Sequence, residues 1–408
     1  MKVLISAPSH RSFIYKFLDK IDIGQLPVGK SGANFISILI EELLKLNHQV
    51  VALTTTVARE NDYVTKSFSE ENFKWIVVPS RPHSIRMNGN KLGRILDGFK
   101  YETKQMSNII KDEKPDIVHA HWSYEFSAAA LCSGYPFLTT VHDNPYQVLR
   151  YIPNIYRFGR LIMSEFILRK VKYTSTVSPY MQPYLLKRCS NVRIIPNPVR
   201  IKYSLEKVNS FITKRSIKLG SPKIIMINNG WDKRKNVKTA LRSFKIFRDK
   251  IPGAELHLFG EGYGPDGPAE EKSRILNNDQ VFFHGCVSNQ KLLSEIEDAH
   301  VLLHSSLEES FGVVLIEVMS LGIPVIGGVK SGAVPWVVAQ EKCLVDVSNF
   351  KLIAEKLISM ISDVKTYIDI SKKSFKNVSN RFESSIIIEK YLDYYKEVMV
   401  KSYYTKSK

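Results

Sequence analysis

The sequence is short of the features that mark several protein classes. Its 408 residues include four cysteines, and none of them stands in a CxxC pair, so neither a structural zinc site nor a disulfide framework is expected. No apolar run approaches the roughly 20 residues that a membrane-spanning helix needs. The first residues, MKVLISAPSHRS, also lack the apolar core of a signal peptide. We therefore expect a cytoplasmic protein with reduced, mostly buried thiols.

Acidic residues are in the minority, and this imbalance limits the choice of partner. The chain has 58 Lys and Arg but 40 Asp and Glu, which gives a formal net charge of +18. Such a charge implies an anionic partner, which is nucleic acid, acidic lipid or a phosphorylated substrate. A nucleic-acid binder would carry stacking aromatic residues among its basic ones, and the sequence shows no such interleaving. No nucleic-acid partner is therefore predicted.

Strands and helices alternate along the chain. Short apolar runs that predict strands in the first half lie at residues 1–8, 49–56, 75–78, 116–122, 137–142, 173–178 and 192–195. Amphipathic stretches such as residues 33–47 separate them, and this alternation predicts a parallel, doubly wound sheet. The length suits two α/β domains of about 200 residues each. We place the first domain at residues 1–200, a polar and basic linker at 201–222, and the second domain at 223–383.

The most informative stretch of the second domain is residues 300–336. Its pattern predicts a strand at 300–305, a polar loop and a helix at 312–321, followed by another strand. We expect Ser310 to cap the helix. In a parallel sheet this order places the loop and the helix start at the carboxyl end of a strand, where open α/β sheets bind their ligands.

Two carboxylates flank the start of that helix. Glu317 lies within an otherwise apolar helix, where an unpaired carboxylate is costly. The small residues Ser310 and Gly312 open the first helical amides, which attract phosphate. Glu309 precedes that point, and Glu317 lies roughly 8 Å past it along the axis, a span that fits a diphosphate between a sugar and a ribose. The alternative is that Glu309 caps the helix and Glu317 pairs with a lysine.

The residues around this carboxylate pair resemble the signature segment of glycosyltransferase family 4, the retaining sugar-nucleotide transferases of the GT-B fold. Seven residues separate Glu309 from Glu317, and the sequences GIPVIGG and GAVPW follow. The resemblance implies two Rossmann-like domains that face each other across a cleft, with the acceptor side in the first and the donor held mainly by the second. It also implies that a terminal helix within residues 384–408 returns to the first domain and ends in a basic tail.

The resemblance assigns catalytic roles to residues elsewhere. The strand end TVHD resembles the family's histidine that contacts the donor sugar or its phosphate, which implies this role for His142. In the family, an Arg directly after a glycine and a later Lys neutralise the leaving diphosphate. Lys235 matches the Lys, but Trp231 stands at the usual Arg position, so Arg234 or Lys233 must substitute. On the residues alone, this basic junction is equally a phosphate clamp or a solvated turn.

The remaining site residues follow from the same resemblance. Glu309 would orient the sugar hydroxyls as a fourth catalytic residue, and Glu317 would bind the ribose. A glycine-bearing loop at residues 29–33 precedes the first helix and is expected to face the cleft through Gly32. The other expected substrate-binding residues are Ser310, Phe311, Gly312, Val313, Val287 and Gly260.

Three other interpretations stay open at this point. Residues 24–31, GQLPVGKS, match the P-loop pattern of an NTPase with Lys30 as phosphate ligand, but a long segment separates this loop from its strand. His119 and His121 share a strand face and could form a metal pair, yet no third ligand stands at a recognisable spacing. A nucleotide-sugar epimerase of the same fold is the third interpretation, and it would release free sugar without an acceptor.

The predicted function is retaining transfer of a sugar from a nucleotide-diphosphate sugar, with no cofactor and no metal, because the sequence has no Asp-x-Asp motif. The expected acceptor is a saccharide or a lipid-diphosphate-linked glycan in bacterial surface polysaccharide synthesis. Residues 151–172 combine apolar and basic side chains, so they predict a helix that lies on acidic lipid or packs on the sheet with its charges in solvent. Peripheral association with the inner face of the plasma membrane is the corresponding hypothesis.

Overall fold

The computed structural model describes residues 1–32, 34–57, 63–276 and 278–406. The chain forms two compact units, Met1–Pro198 with the segment from Ser384 onward, and Val199–Glu383. Each unit contains a largely parallel sheet flanked by helices, which confirms the predicted α/β class with two doubly wound domains. Ala33 of the predicted glycine loop and the last two residues of the predicted basic tail lie outside the described residues.

The strands of the first unit form one twisted sheet. They are β1 (Lys2–Ser6), β2 (Gln49–Val57), β3 (Lys66–Glu70), β4 (Phe73–Ser80), β5 (Ile117–His121), β6 (Phe137–Val141), β7 (Tyr173–Thr176) and β8 (Asn191–Ile194). The described strands pair in the order β3-β4-β2-β1-β5-β6-β7-β8, and β3 alone among them runs antiparallel to its neighbour. The strands predicted from apolar runs are present, whereas β3 was not predicted because its KSFSE sequence is mostly polar.

The helices of the first unit cover both faces of that sheet. Those before the second unit are α1 (Arg11–Ile14), α2 (Phe35–Lys45), α3 (Lys100–Glu113), α4 (Glu125–Ser133), α5 (Pro145–Tyr151), α6 (Ile155–Leu168) and α7 (Gln182–Leu186). Met106 of α3 and Phe126 of α4 pack with Leu4, Val51 and Val118 in one buried cluster. This cluster explains why the central strands are apolar along their length, as strands covered on both faces are.

The single basic helix expected over residues 151–172 is instead two helices. The chain breaks between α5 and α6 at Pro153, which cannot donate a backbone hydrogen bond and disfavours helical geometry in the preceding residue. Asn154 then caps α6, because its side-chain oxygen accepts a hydrogen bond of 2.9 Å from the Arg157 amide. The apolar and basic residues of the predicted helix are therefore mostly carried by α6.

The strands of the second unit form a parallel sheet, and the order in which strands are added reverses at its centre. They are β9 (Lys223–Ile227), β10 (Glu255–Phe259), β11 (Val281–Gly285), β12 (Val301–His304), β13 (Val325–Gly328) and β14 (Leu344–Val345). The described strands pair in the order β11-β10-β9-β12-β13-β14. From β9 the chain builds the sheet in one direction, and from β12 it builds it in the other. A crevice is expected at the carboxyl ends of β9 and β12, because neighbouring connections diverge there.

The helices of the second unit include one in the expected linker. They are α8 (Leu205–Ser216), α9 (Val237–Lys250), α10 (Pro268–Ile275), α11 (Asn289–Glu297), α12 (Val313–Met319), α13 (Val334–Val338), α14 (Phe350–Ser362) and α15 (Val364–Arg381). Residues 201–222 do not form an extended linker, because α8 packs Val208 and Ile212 against Phe375 of α15. The apolar spacing of Val208 and Ile212, four residues apart on one helix face, was the signal for this packing.

The last helix, α16 (Ser384–Lys406), belongs to the first unit. Its buried tyrosines tie it to the sheet: the Tyr395 hydroxyl lies 2.6 Å from His119 Nδ1, and the Tyr394 hydroxyl donates to the Thr174 carbonyl at 3.1 Å. These contacts lie on the opposite face of β5 from Val118, because neighbouring residues of a strand point to opposite faces.

Candidate active site

A cavity of about 400 Å³ opens at the carboxyl ends of β9 and β12, where the strand order diverges. It is built from the second unit alone. Its lining includes residues from both strand ends and from the start of α12, among them Asn228, Lys235, Gly260, Cys286, Val287, His304, Glu309, Gly312, Val313 and Glu317. The structure therefore gathers seven of the predicted site residues in one place. Of the other predicted residues of this unit, Arg234, Ser310 and Phe311 do not line the cavity.

The loop after β9 presents Lys235 to the cavity. Asp232 starts a short 3-10 helix there, and its carboxylate accepts hydrogen bonds from the Arg234 and Lys235 amides at 2.8 and 3.3 Å. The Ser305 hydroxyl donates to the Lys235 carbonyl at 2.8 Å, and the Leu307 amide donates to the Arg234 carbonyl at 2.7 Å. Because both contacts are to backbone carbonyls of the loop, the loop is held in register with the residues that follow β12.

Lys235 and Glu309 form the central ion pair of the site. Their charged atoms, Nζ and Oε1, lie 2.7 Å apart, and both side chains are largely buried. His304 Nε2 lies 3.5 Å from the same carboxylate oxygen. Burial alone would raise the pKa of Glu309, but the nearby Lys235, His304 and Arg234 outweigh it and hold that pKa well below its usual range. Glu309 is therefore a carboxylate at every working pH.

Arg234 lies beside Lys235 but faces acidic neighbours. Its Nη1 atom is 3.8 Å from a Glu308 carboxylate oxygen, and its Nε atom is 3.9 Å from an Asp232 carboxylate oxygen. Both contacts are longer than hydrogen bonds. The two basic residues therefore differ in their surroundings. Lys235 points into the cavity, whereas Arg234 lies outside its lining between two carboxylates.

The helix after the Glu309 loop begins later than predicted. α12 starts at Val313 and has Gly312 as its N-cap residue, with φ of 83°, so Ser310 is not the cap. A Cβ atom at Gly312 would lie 2.8 Å from Leu315 Cδ1 in that left-handed conformation, which favours glycine. The Phe311 side chain points away into the core, where it packs edge-on against Phe382 with ring centroids 5.6 Å apart.

Glu317 projects from α12 into the same cavity and is only partly exposed. Within the described part of the chain, its carboxylate has no hydrogen-bond or ion-pair partner. Burial therefore raises the pKa of Glu317 to about 7. A carboxyl group of this kind is poised to accept hydrogen bonds from a ligand that enters the cavity, and the expectation that a lysine pairs with it is not met.

The wall opposite α12 is made of backbone. Gly260 has φ of 115°, and a Cβ atom there would lie 1.7 Å from the Asn228 carbonyl oxygen, so only glycine fits. The Gly260 amide donates to the Gly285 carbonyl at 2.7 Å, which joins the ends of β10 and β11. Val287 follows at the rim of the cavity. The glycine turn and the 285–287 segment therefore form one continuous wall of the cavity.

Two of the cavity residues that sequence reasoning missed are polar groups at strand ends. His304 ends β12 and contacts Glu309, and Asn228 directly follows β9. Neither belongs to a motif, but each is the polar residue at the carboxyl end of one of the two strands that diverge. That position was the available signal, because ligands of α/β sheets contact these strand ends.

The predicted first-unit residue His142 lies in a cluster of histidines. Its Nε2 atom is 2.9 Å from His121 Nδ1, and its ring stacks obliquely on Trp122 with centroids 4.4 Å apart. Burial lowers the pKa of His142 to about 3, so the ring is neutral. His119 uses both ring nitrogens, which contact Tyr395 and Thr140. It is therefore unsuited to bind a metal together with His121.

The loop that matches the P-loop pattern has a different structure from a phosphate cradle. Lys30 Nζ forms an ion pair with the buried carboxylate of Glu125, which Arg160 also contacts. The Lys30 amide donates to the Ser9 carbonyl at 3.1 Å. Gly32 packs against the end of β1, because a Cβ atom there would lie 2.6 Å from Pro8 Cβ. These contacts occupy the lysine that an NTPase would need for phosphate.

The described residues contain neither a cluster of metal ligands nor a membrane-spanning helix. No group of three or more His, Cys, Asp and Glu side chains in residues 1–32, 34–57, 63–276 and 278–406 is placed to hold a metal ion. Among the helices of the same residues, none is both long and apolar enough to cross a membrane.

Comparison with known proteins matches both halves of the chain to sugar-transfer families. Residues 209–377 match the family described as Glycosyl transferases group 1, and residues 32–203 match Glycosyltransferase Family 4. The N-acetyl-alpha-D-glucosaminyl L-malate synthase of Bacillus anthracis is 24% identical over 306 residues, which are 72% of this chain and 78% of that protein.

Two further similarities concern a relative matched over a shorter segment and a solved structure. A capsular polysaccharide biosynthesis glycosyltransferase of Staphylococcus aureus is 30% identical over 165 residues, which are 38% of this chain and 41% of that protein. The crystal structure of HepE from Anabaena, in complex with UDP and glucose, aligns with a TM-score of 0.66 and 13% identity over 96% of this chain and 98% of that chain. At that identity, the structural likeness establishes a shared fold.

Proposed function

Because the chain belongs to glycosyltransferase family 4 and has the GT-B fold, we propose that it is a retaining glycosyltransferase that uses a nucleotide-diphosphate sugar. The observation that carries the proposal is the cavity of the second unit. There, the buried Lys235–Glu309 pair and Glu317, which has no partner among the described residues, line one space where the strand order of the sheet diverges. A ligand that joins an anionic group to two hydroxylated rings suits this lining.

The diphosphate is the group that needs Lys235. When the bond between sugar and diphosphate breaks, negative charge grows on the leaving oxygens, and a preorganised cation in a partly dry site stabilises that charge. Lys235 is fixed by its loop contacts and is already paired with Glu309, so it is held in place before the substrate arrives. Arg234 at the edge of the cavity would add a more distant positive charge. We propose that this charge replaces a metal ion and that no cofactor is used.

The two carboxylates bind the rings on either side of the diphosphate. Glu309 stays ionised, because Lys235 lowers its pKa, and can accept hydrogen bonds from the sugar hydroxyls. Glu317 accepts hydrogen bonds from the ribose hydroxyls in its deprotonated form. The nucleobase would enter between the Gly260 turn and Val287, where the wall is backbone. Hydrogen bonds from Phe311, Gly312 and Val313 amides to phosphate complete the proposed donor contacts.

The first unit supplies the acceptor side in this proposal. His142 keeps its predicted role as the residue of that unit that contacts the donor sugar, with a neutral ring that can donate or accept a hydrogen bond. Gly32 keeps its predicted place at the substrate. Both assignments rest on the sequence resemblance and stay predictions.

The acceptor and location are proposed from relatives and charge. A relative in Staphylococcus aureus carries a name that refers to capsular polysaccharide biosynthesis, and the net charge of +18 suits an anionic acceptor. We therefore propose a saccharide or lipid-diphosphate-linked glycan of bacterial surface polysaccharide synthesis as acceptor. The enzyme would work in the cytoplasm, at the inner face of the plasma membrane.

The test is the stereochemistry of transfer. A panel of nucleotide-diphosphate sugars is first screened by thermal shift, since a ligand that binds the folded state raises the melting temperature. The donor that binds is then used with saccharide and lipid-diphosphate acceptors, and proton NMR reads the anomeric configuration of the fresh product. Retention of the donor's configuration, unchanged by EDTA, is expected.

Three outcomes would contradict parts of the proposal. An inverted product refutes the retaining mechanism, and loss of activity in EDTA refutes metal independence. Release of free, epimerised sugar without an acceptor would favour the epimerase alternative. Glu309→Gln serves as the low-activity control for background product, because it removes the proposed catalytic carboxylate while keeping the side chain's size.

A further inference from the structure

A large apolar cavity lies in the first unit, and none of the residues assigned to transfer lines it. It is an open groove of about 860 Å³ between α3, α4 and α6. Its apolar lining comes from the segment before α3 and from α4 and α6, with Ile95, Leu96, Ala128, Leu131, Ile162, Met163, Phe166 and Ile167. This volume is about twice that of the donor cavity and within the range of small-molecule sites, which is roughly 300–1,000 Å³.

The groove is built into the fold rather than left by loose packing. Gly159 lets α6 approach the segment before α3, since a Cβ atom there would lie 2.3 Å from Ile95 Cγ1. The fully buried Arg81 holds the same segment from behind. It donates to the Leu92 carbonyl at 2.8 Å and forms ion pairs with Asp97 at 2.7 Å and Glu102 at 2.8 Å. The rim of the groove is thus preorganised.

Large apolar side chains at the groove stand in solvent. Leu96, Ile162 and Phe166 are 53%, 56% and 61% exposed. Phe158 and Ile155 continue the exposed apolar face along α6 beyond the groove. Several exposed apolar side chains on one helix face mark an interaction site in a soluble protein. Burial of this face against an apolar partner would favour binding.

One side of the groove carries positive charge. Lys100, Lys104 and Lys111 lie along α3 and line the groove. None of the three has an ion-pair partner among the described residues. Asp97 is the acidic residue of the lining; it is paired with Arg81 through two contacts of 2.7 and 2.9 Å, and the three lysines outnumber it. A guest with an apolar body and an anionic end at the α3 side matches this distribution.

We propose that the groove binds a hydrocarbon chain of an anionic membrane lipid, with the lipid headgroup on the α3 lysines. The exposed face of α6 would then rest in the membrane interface, where apolar side chains enter the acyl region and each nearby lysine adds about 1 kcal/mol on an anionic surface. The groove contains none of the residues assigned to transfer, so this binding specifies how the enzyme would reach the membrane and can be tested without the transfer reaction. An acidic amphipathic peptide is the competing occupant that the test must separate.

Two native thiols allow the site to be located directly. Cys132 is exposed and lines the groove, whereas Cys286 is exposed and lines the donor cavity, and the other two cysteines are buried. In a Cys286→Ser variant, the rate at which a maleimide labels Cys132 reports the groove. In a Cys132→Ser variant, labelling of Cys286 reports the donor cavity. Each variant is the control for the other.

Three soluble probes distinguish binding of the lipid's hydrocarbon chain from binding of its headgroup. Dodecyl phosphate below its micelle concentration is expected to slow labelling of Cys132 at least tenfold and to leave Cys286 unchanged. Inorganic phosphate should not protect Cys132, and dodecyl maltoside should need at least a tenfold higher concentration than dodecyl phosphate. Sugar nucleotides should protect only Cys286, so failure of the groove and failure of the donor site give different results. Equal protection of both thiols, or none of Cys132, would overturn the proposal.

Vesicles test whether the lipid source is a membrane. The protein should sediment with phosphatidylglycerol vesicles and not with phosphatidylcholine vesicles. Phe166→Ser should weaken this binding about tenfold, because a contact of roughly 1.4 kcal/mol is lost, while Phe158→Ser, on the same helix but outside the groove, should weaken it less. Lys104→Gln should weaken binding about fivefold, and Lys114→Gln, beyond the groove, should not.

The vesicle results also distinguish a lipid from an acidic amphipathic peptide as the occupant of the groove. If phosphatidylglycerol vesicles leave the protein in the supernatant while an acidic amphipathic peptide protects Cys132, the groove is a peptide site and the lipid proposal fails. If Phe158→Ser and Phe166→Ser weaken vesicle binding equally, the helix face alone carries the binding and the groove has no part in it. Both serine variants replace exposed side chains, so neither should unfold the protein.

Discussion

Replacement of Lys235 by Met should remove the charge that the account places at the leaving diphosphate. The side chains of Lys235 and Glu309 are 10% and 13% exposed, and their charges are 2.7 Å apart. Removal of one partner from a buried pair costs about 3–5 kcal/mol, because the other charge stays buried and unpaired. His304 at 3.5 Å still contacts Glu309, so we expect the lower end, about 3 kcal/mol. Turnover should fall about 10²–10³-fold.

A double variant separates the two effects. Lys235→Met with Glu309→Gln leaves no unpaired charge, so its free energy of unfolding should return to within about 1 kcal/mol of the wild type. Its turnover should stay as low as that of the single variant, because the cation is still absent. In the single variant, burial should raise the pKa of Glu309, and the loss of stability should be smaller at pH 5 than at pH 8.

Urea unfolding and steady-state transfer with the identified donor measure these quantities. Lys223→Met is the matched control, because Lys223 also pairs with a glutamate, Glu295, at 2.7 Å but in a more exposed place outside the donor cavity. It should cost about 1 kcal/mol or less and keep full turnover. The reasoning is refuted if Lys235→Met loses less than 1 kcal/mol, if the double variant is no more stable than the single one, or if turnover falls less than tenfold.

Three further predictions concern Glu317, Arg215 and Lys30. Because burial raises the pKa of Glu317 to about 7, the Michaelis constant for the donor should rise as pH falls through 7 in the wild type and stay flat in Glu317→Gln. The same shift means that wild-type stability decreases by about 3 kcal/mol relative to Glu317→Gln as pH rises from 4.5 through 7, measured by urea unfolding. Arg215→Met should cost about 3 kcal/mol in the same assay, because the 2%-exposed guanidinium donates to three backbone carbonyls, while exposed Lys214→Met should cost under about 0.5 kcal/mol. Wild type and Lys30→Met should both lack magnesium-dependent ATP hydrolysis, since the lysine is paired with Glu125, and hydrolysis abolished in the variant would restore the NTPase interpretation.

Local sequence was enough to predict that the two carboxylates, Glu309 and Glu317, lie in one site. Glu309 and Glu317 sit on either side of a strand-to-helix turn, and connections of parallel strands must pass the carboxyl edge of the sheet. Their meeting in one cavity therefore follows from the alternation of strands and helices. The family resemblance added Lys235, which is 74 residues away in sequence and reaches Glu309 only because β9 and β12 are neighbours.

Other features depended on contacts that a single sequence does not reveal. The N-cap of α12 was placed wrongly at Ser310, because the N-cap residue is Gly312 in a left-handed conformation that the sequence pattern did not indicate. The groove of the first unit depends on how closely α6 approaches Ile95, which Gly159 permits. The contact between His304 and Glu309 was not predicted either, since it follows from the folding of the loop between them.

The most direct measurement is the binding of nucleoside diphosphates in EDTA by titration calorimetry, with wild type and Lys235→Met side by side. The account predicts that at least one nucleoside diphosphate binds the wild type without metal, and that Lys235→Met binds it at least tenfold more weakly. Absence of binding by any of them, or equal affinity in the two proteins, would contradict the claim that Lys235 and its cavity hold the diphosphate of the donor.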